Sequence, residues 1–288
     1  DAGHGGTWLT DPDDLTIDSD AASTIQTALN TGTNVTEQTT ASGTSGAGTV
    51  ASGNGDINVN AGIAWSGTAT LTLDAHRNLN VNAPIAVNDS GSVVIKTGGD
   101  DVFNPGGSLT YATQNAGSLS INGTAYTLLW GIGGLSSIGD GYITNNYALA
   151  DDVDNAGAAF TPIAHTGRFA GIFDGLGHSV SNLNVHDTTH AVSGLFGISS
   201  GTIANVTVSG IIDGRGGPTS SYVGGIVGQN NGIVRDSHSA ATVYGYYVGG
   251  LSGGSATGTA TIKRSTASGT VYALDSSPYA GGLAGTAY

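Results

Sequence analysis

Along residues 55–98 apolar and polar positions alternate, and the alternation itself repeats. GDINVNAGIAWSGTATLTLDAH (55–76) aligns without gaps on RNLNVNAPIAVNDSGSVVIKTG (77–98), a period of 22 residues. Ile57 falls on Leu79, Val59 on Val81, Ala61 on Ala83, Ile63 on Ile85 and Leu71 on Val93, with Asn58, Asn60, Asn80 and Asn82 between them. Period-two alternation marks half-buried strands, and a helix cannot use it. The same offset taken backwards sets Ile57 on Val35, so the series is expected to begin earlier, and it sets Val59 on Glu37. An unpaired buried carboxylate is costly unless it becomes neutral. The first coil is therefore expected to be irregular, with Glu37 reaching solvent or a capping helix. One short helix is expected near the N-terminus: Asp20 caps AASTIQTALN, Ile25 and Leu29 stand four apart, and Gly32 follows the end.

The second half repeats differently. Gly194-Leu195-Phe196-Gly197, Gly225-Ile226-Val227-Gly228, Gly250-Leu251-Ser252-Gly253 and Gly282-Leu283-Ala284-Gly285 recur at intervals of 31, 25 and 32 residues. Registering Ile203, Val234 and Ile262 places Ile212, Val243 and Val271 nine positions later in each case. A repeat of this length cannot bury its apolar face alone, whereas stacked copies bury a continuous core and pair each strand with the coil above and below. The expected fold is all-β: one right-handed parallel β-helix, since crossover connections nearly always have that hand. Roughly eleven or twelve coils at about 4.8 Å each would extend on the order of 50–60 Å. The 22-residue Asn/Val coils are assigned to residues 1–127 and the tetrad repeats to 128–288. Ile57, Val59, Leu79, Val81, Leu195, Ile226 and Leu251 are expected in the core. Glycines at the corners would supply positive φ or let backbones of neighbouring coils approach.

Composition supports this picture and narrows the function. Glycine supplies 49 of 288 residues, while charged residues make up 10%, against a usual share of about 25%. The surface must then be largely Thr, Ser, Asn and Gly, as in secreted proteins. Seven basic against 21 acidic residues leave a net charge of −14, which repels phosphate backbones, so nucleic acid is excluded as a partner. No run of about 18 apolar residues is present to span a bilayer. Cysteine is absent, which removes disulfides and thiolate metal sites. Methionine is absent too, so the chain reads as a piece of something longer.

STIQTALNTGTNVTEQT (23–39), the Asn/Val coils and LSINGTAYTLL (119–129) resemble the filamentous-haemagglutinin-type exoproteins of bacterial two-partner secretion. NNYALADDVDN through FAGIFDGLGHSVSNLNV (145–185), followed by the tetrads, resembles the GLUG repeats found in many of them. The resemblance implies a right-handed β-helical fibre, export through an outer-membrane transporter, and release from or display on a Gram-negative cell surface. The family's N-terminal secretion domain has no recognisable counterpart, although FNPGG stands at 103–107. Adhesion is the commonest role in that group. The implied function is a structural, adhesive segment that attaches to a host-cell or matrix glycan or protein, or self-associates into filaments.

Several residues invite chemistry. Asp174 and His178 in RFAGIFDGLGHSVSNL could be an acid/base pair; Asp-Gly is also a turn pair, and a corner closed by side-chain-to-backbone bonds is the reading adopted. Parallel β-helices also carry polysaccharide lyases and hydrolases, the rival function. Gly3-His4-Gly5 and the IKR at 262–264 echo polygalacturonase motifs in the wrong order, and Asp100-Asp101 or Asp151-Asp152 mimic paired carboxylates. His178, His186 and His190 suggest a metal, and Asp151, Asp152 and Asp154, or Asp11, Asp13, Asp14, Asp18 and Asp20, suggest calcium. Neither pattern carries a recognised spacing, so no catalytic, cofactor or metal residue is assigned. Tyr222, Tyr244, Tyr246 and Tyr247 cluster near glycine corners of successive repeats and are the expected ligand-binding residues.

Overall fold

The computed structural model describes residues 13–187, 189–216, 221–255, 258, 260–274 and 279–286. Strands dominate and two short helices accompany them, Ser19–Asn30 and Gly131–Ser136. The chain divides into two compact units, Asp1–Ala125 and Tyr126–Tyr288.

In the first unit the 22-residue alignment becomes hydrogen-bonded register. Ile57 pairs with Leu79 and Val59 with Val81, Ile63 with Ile85, and Leu71 with Val93, all in parallel. The inward residues Ile57, Val59, Leu79 and Val81 are fully buried. Asn80 donates to Asn58 at 2.9 Å, and Asn104 donates to Asn82 as Asn82 does to Asn60, both at 2.7 Å. The alternation thus makes two ladders at once, aliphatic inside and amide outside.

The register does not continue back into the first coil. Ile57 pairs with Leu15 rather than with Val35, and Val35 pairs with Leu71, so Glu37 sits opposite Leu73. Glu37 is 1% exposed and does not reach solvent, contrary to expectation. The coil is irregular because it closes the stack. Strand Gly43–Ser45 runs antiparallel to Val35–Thr40, and Thr49–Ser52 runs antiparallel to Asp13–Ile17, covering two edges that would otherwise present free backbone groups. Helix Ser19–Asn30 covers the third, packing against Ile63–Trp65. From the helix and its following turn, Gln26, Asn30 and Asn34 accept the backbone N–H groups of Ala64, Ser66 and Thr70 at 3.0, 3.0 and 2.8 Å. The N-cap is Asp18, not Asp20: its carboxylate accepts from the N–H groups of Asp20 and Ala21. Ile25 and Leu29 face the core, and Gly32 takes a φ of +84° at the helix end.

The second unit stacks parallel strands in longer repeats. Ile203, Val234 and Ile262 stand in one ladder and Ile212, Val243 and Val271 in another, as the nine-residue offset anticipates. Leu195, Ile226 and Leu251 are fully buried, whereas Leu283 of the fourth tetrad is 43% exposed. Phe169 and Phe173 pack on Phe196 with ring centroids 5.1 and 5.2 Å apart. Seven of the eight tetrad glycines answer close approach, not positive φ: a Cβ on Gly228 would lie 2.6 Å from the Ser193 nitrogen, whereas Gly282 of the fourth tetrad faces open space. Left-handed backbone falls instead on Asn205, Asp236 and Arg264, which follow three stacked strands at one corner. Asn and Asp tolerate that conformation better than most residues. The helix Gly131–Ser136 was not anticipated; three glycines in six residues give no helical pattern, and buried Leu135 holds it to the core.

Candidate functional site

The repeats carry their outward side chains into columns, and the tyrosines show this most clearly. Tyr222, Tyr247 and Tyr279 occupy equivalent positions on three paired strands, with successive centroids 5.0 and 5.1 Å apart and rings near parallel. A second column places Tyr244 on Tyr272 at 4.7 Å with rings 6° from parallel. The Arg215 guanidinium lies 4.4 Å from the Tyr244 centroid, while its nitrogens bind the Asp213 carboxylate at 2.9 and 2.7 Å. That bond, with the charge behind it, holds the Asp213 carboxyl below its ordinary value. Tyr246 lies at the corner between the columns and is partly buried, as are Tyr222, Tyr244 and Tyr247.

Of the four tyrosines singled out from sequence, Tyr222 and Tyr247 therefore fall in one column, Tyr244 in the other and Tyr246 at the corner between them, rather than all forming one strip. Tyr272 and Tyr279, 49% and 46% exposed, extend those columns and were missed. The signal was present: the offset that sets Val243 on Val271 also sets Tyr244 on Tyr272. Stacking has a chemical consequence. Ring faces inside a column are covered by neighbouring rings, so an approaching molecule meets ring edges and hydroxyls along most of its length.

Asp174 and His178 have corner roles. Asp174 is fully buried; its carboxylate accepts from the Leu176 N–H at 2.8 Å and from the Asn205 amide at 3.1 and 3.2 Å, with Arg235 at 3.9 Å. His178 is buried with Nδ1 3.6 Å from Asp152. Burial opposes ionisation of Asp152, but bonds from the Ser179 N–H and hydroxyl, together with His178, outweigh it and hold the carboxyl low. Among the described residues, Asp151, Asp152 and His178 form the group whose ligand atoms all lie within 4.8 Å of one another. His186 and His190 do not join His178. They line a pocket with His165, which sequence reasoning did not single out, and the His165 and His190 rings meet edge to face at 4.6 Å. Arg264 grips Asp236 through two bonds of 2.6 and 2.7 Å. Asp154 accepts from the Ala156 N–H and the Asn182 amide, and Asp101 is buried. Gly3, His4, Gly5 and Asp11 lie outside the described residues.

Fold and surface define a class: an all-β repeat protein whose parallel strands carry side chains in register from one strand to the next. Residues 219–244 match the family model of the GLUG motif, within the second unit and across the strands that carry Tyr222 and Tyr244. The chain is also similar to halomucin of Haloquadratum walsbyi, 34% identical over 125 residues that cover 38% of this chain. It spans about 1% of the length of that protein. No solved structure matches. The motif and this similarity point to a surface-type protein carrying GLUG repeats. No helix among the described residues is long and apolar enough to cross a membrane.

Proposed function

We propose that this chain is a structural and adhesive segment of a large secreted surface protein, each of its units winding as a right-handed parallel β-helix. The observation that carries the reading is register. Successive repeats present the same outward chemistry, Asn on Asn in the first unit and Tyr on Tyr in the second, which gives each unit a repetitive surface. The hand follows from the preference of parallel crossovers. The proposal includes the filamentous-haemagglutinin-type resemblance: export of a longer precursor through an outer-membrane transporter and display on a Gram-negative cell.

Binding is assigned to the side bearing Tyr222, Tyr244, Tyr246 and Tyr247, with a glycan or a protein surface of a host cell or matrix as ligand. Ring edges and hydroxyls suit neutral polar ligands, and the net charge of −14 disfavours sulfated ones. Affinity per segment is modest, and many copies on one cell supply avidity. The test is a glycan array with a host-cell binding assay, using Tyr246→Ala and Tyr247→Ala variants of unchanged circular dichroism. Loss of binding in either supports the site; binding that survives both places it elsewhere, and a parent chain that binds nothing is a spacer. Ordered polymers of the purified chain in electron micrographs would make self-association the function instead. Turnover of pectin, alginate or a glycosaminoglycan that disappears in His178→Ala or Arg264→Ala would replace adhesion with catalysis.

A further inference from the structure

A chain without cysteine or methionine directs oxidative chemistry to its aromatic residues. Trp65 is buried at 1% exposure, and Tyr111 is fully buried with its hydroxyl on the Ser118 carbonyl. The two tyrosine columns differ on both counts that matter for phenol coupling. Each ring has a second phenol stacked on it at 4.7 to 5.1 Å, and the outer members, Tyr272 and Tyr279, are about half exposed. Their partners sit on outward positions of partnered strands, so side-chain torsions alone can bring ring carbons together without disturbing the core.

We propose that these columns are sites of intrachain dityrosine cross-linking by a one-electron oxidant, either a photo-excited sensitiser or a peroxide-charged haem. Each of two neighbouring phenols gives one electron to the oxidant and one proton to solvent, leaving two phenoxyl radicals. The radicals pair to form a carbon–carbon bond between ring positions ortho to the hydroxyls. The hydrogen on each joined carbon then moves to the oxygen and restores both phenols. The sum is two electrons and two protons lost for one new bond. The pairs are Tyr222 with Tyr247, Tyr247 with Tyr279, and Tyr244 with Tyr272; Arg215 covers the other face of Tyr244 and leaves Tyr272 as its partner. Such a bond ties one coil to the next and restricts the unfolded chain, as a disulfide does in proteins that have cysteine. The proposal is independent of what the surface binds.

The experiment uses the full chain at high dilution, illuminated with a ruthenium sensitiser and persulfate, then digested and analysed by mass spectrometry. Expected are peptide pairs two hydrogens lighter than their sum that join Tyr244 to Tyr272, and Tyr247 to Tyr222 or Tyr279, with dityrosine fluorescence in the monomer band. Tyr247→Phe removes every link of its column and keeps Tyr244–Tyr272; Tyr272→Phe does the reverse. The linked chain melts on the order of 5 °C higher. Unfolding in urea before illumination lowers the intrachain yield several-fold. Links formed mainly between chains or through Tyr142 and Tyr147, a yield indifferent to urea, or no links at all would overturn the proposal.

Discussion

Glu37 occupies an inward position of Val35–Thr40, and its Oε2 has no hydrogen-bond partner. Burial pushes its carboxyl from an ordinary 4.5 up to about 7, opposed only in part by the Ala47 N–H. Charged groups on the strands packed around it are engaged elsewhere: Asp74 with Lys96, Asp56 with Arg77, and Asp14 with the N–H groups of Asn54, Gly55 and Asp56. The sign follows from the raised value. Below about pH 4.5 both folded and unfolded chains hold the proton, and the stabilisation is complete. Between 4.5 and 7 the unfolded chain releases it first, so stability falls, and above 7 the loss is complete. The shift corresponds to about 3 kcal/mol. Glu37→Gln is therefore expected to be more stable than the parent by up to about 3 kcal/mol at pH 8, and no more stable at pH 4, in urea melts at the two pH values. Equal pH slopes for parent and variant would refute the assignment. The 22-residue offset that sets Glu37 on Val59 marked its position as inward. Its burial was not readable, because the strand pairs 36 residues ahead instead of 22.

At the scale of elements, the helix Ser19–Asn30 was legible from its apolar spacing and Gly32, but its task was not. Gln26, Asn30 and Asn34 recur every four residues, two on the helix and the third beyond its end, and their targets are backbone N–H groups 36 to 38 residues later, on Ala64, Ser66 and Thr70. Only the fold reveals that these amides supply the acceptors a neighbouring strand would otherwise give. Removing such an acceptor costs about 1 kcal/mol. Gln26→Ala and Asn30→Ala are each expected to lose about that much stability, with faster amide exchange confined to Ala64 in the first and Ser66 in the second. A uniform rise in exchange across the unit would mean that the substitutions act by loosening the helix. The candidate site divides similarly. Tyr222 and Tyr247 were readable as equivalent because a glycine pair follows each, and the same registers held the signal for Tyr272 and Tyr279, which was missed. The stacking of ring on ring was not readable, since register sets which residues are level but not the side-chain torsions that lay one ring on the next.

For the molecule as a whole, parallel pairing and core composition followed from periodicity, whereas corners did not. A glycine count cannot distinguish a residue chosen for left-handed φ from one chosen because a neighbouring backbone passes within van der Waals contact, and the glycines of the first three tetrads are of the second kind. Charge is the remaining whole-molecule property with a measurable consequence. Five of the seven basic residues, Arg77, Lys96, Arg215, Arg235 and Arg264, are bound to aspartates, and Arg168 lies over the Tyr142 ring. Seven basic residues cannot neutralise 21 acidic ones, so a surplus of 14 negative charges remains. Folding gathers this surplus into a smaller volume, so repulsion opposes the compact state and salt relieves it. Surface ion pairs lose strength in the same salt, but each contributes only about 0–1 kcal/mol. The surplus should win. Tm is expected to rise by several degrees between 10 mM and 1 M sodium chloride, where the Debye length falls from about 30 to about 3 Å. Calorimetry at fixed pH checks this, with sodium sulfate as a control for ions that strengthen apolar burial. A Tm that falls with sodium chloride would show instead that the Arg–Asp pairs outweigh the unpaired carboxylates.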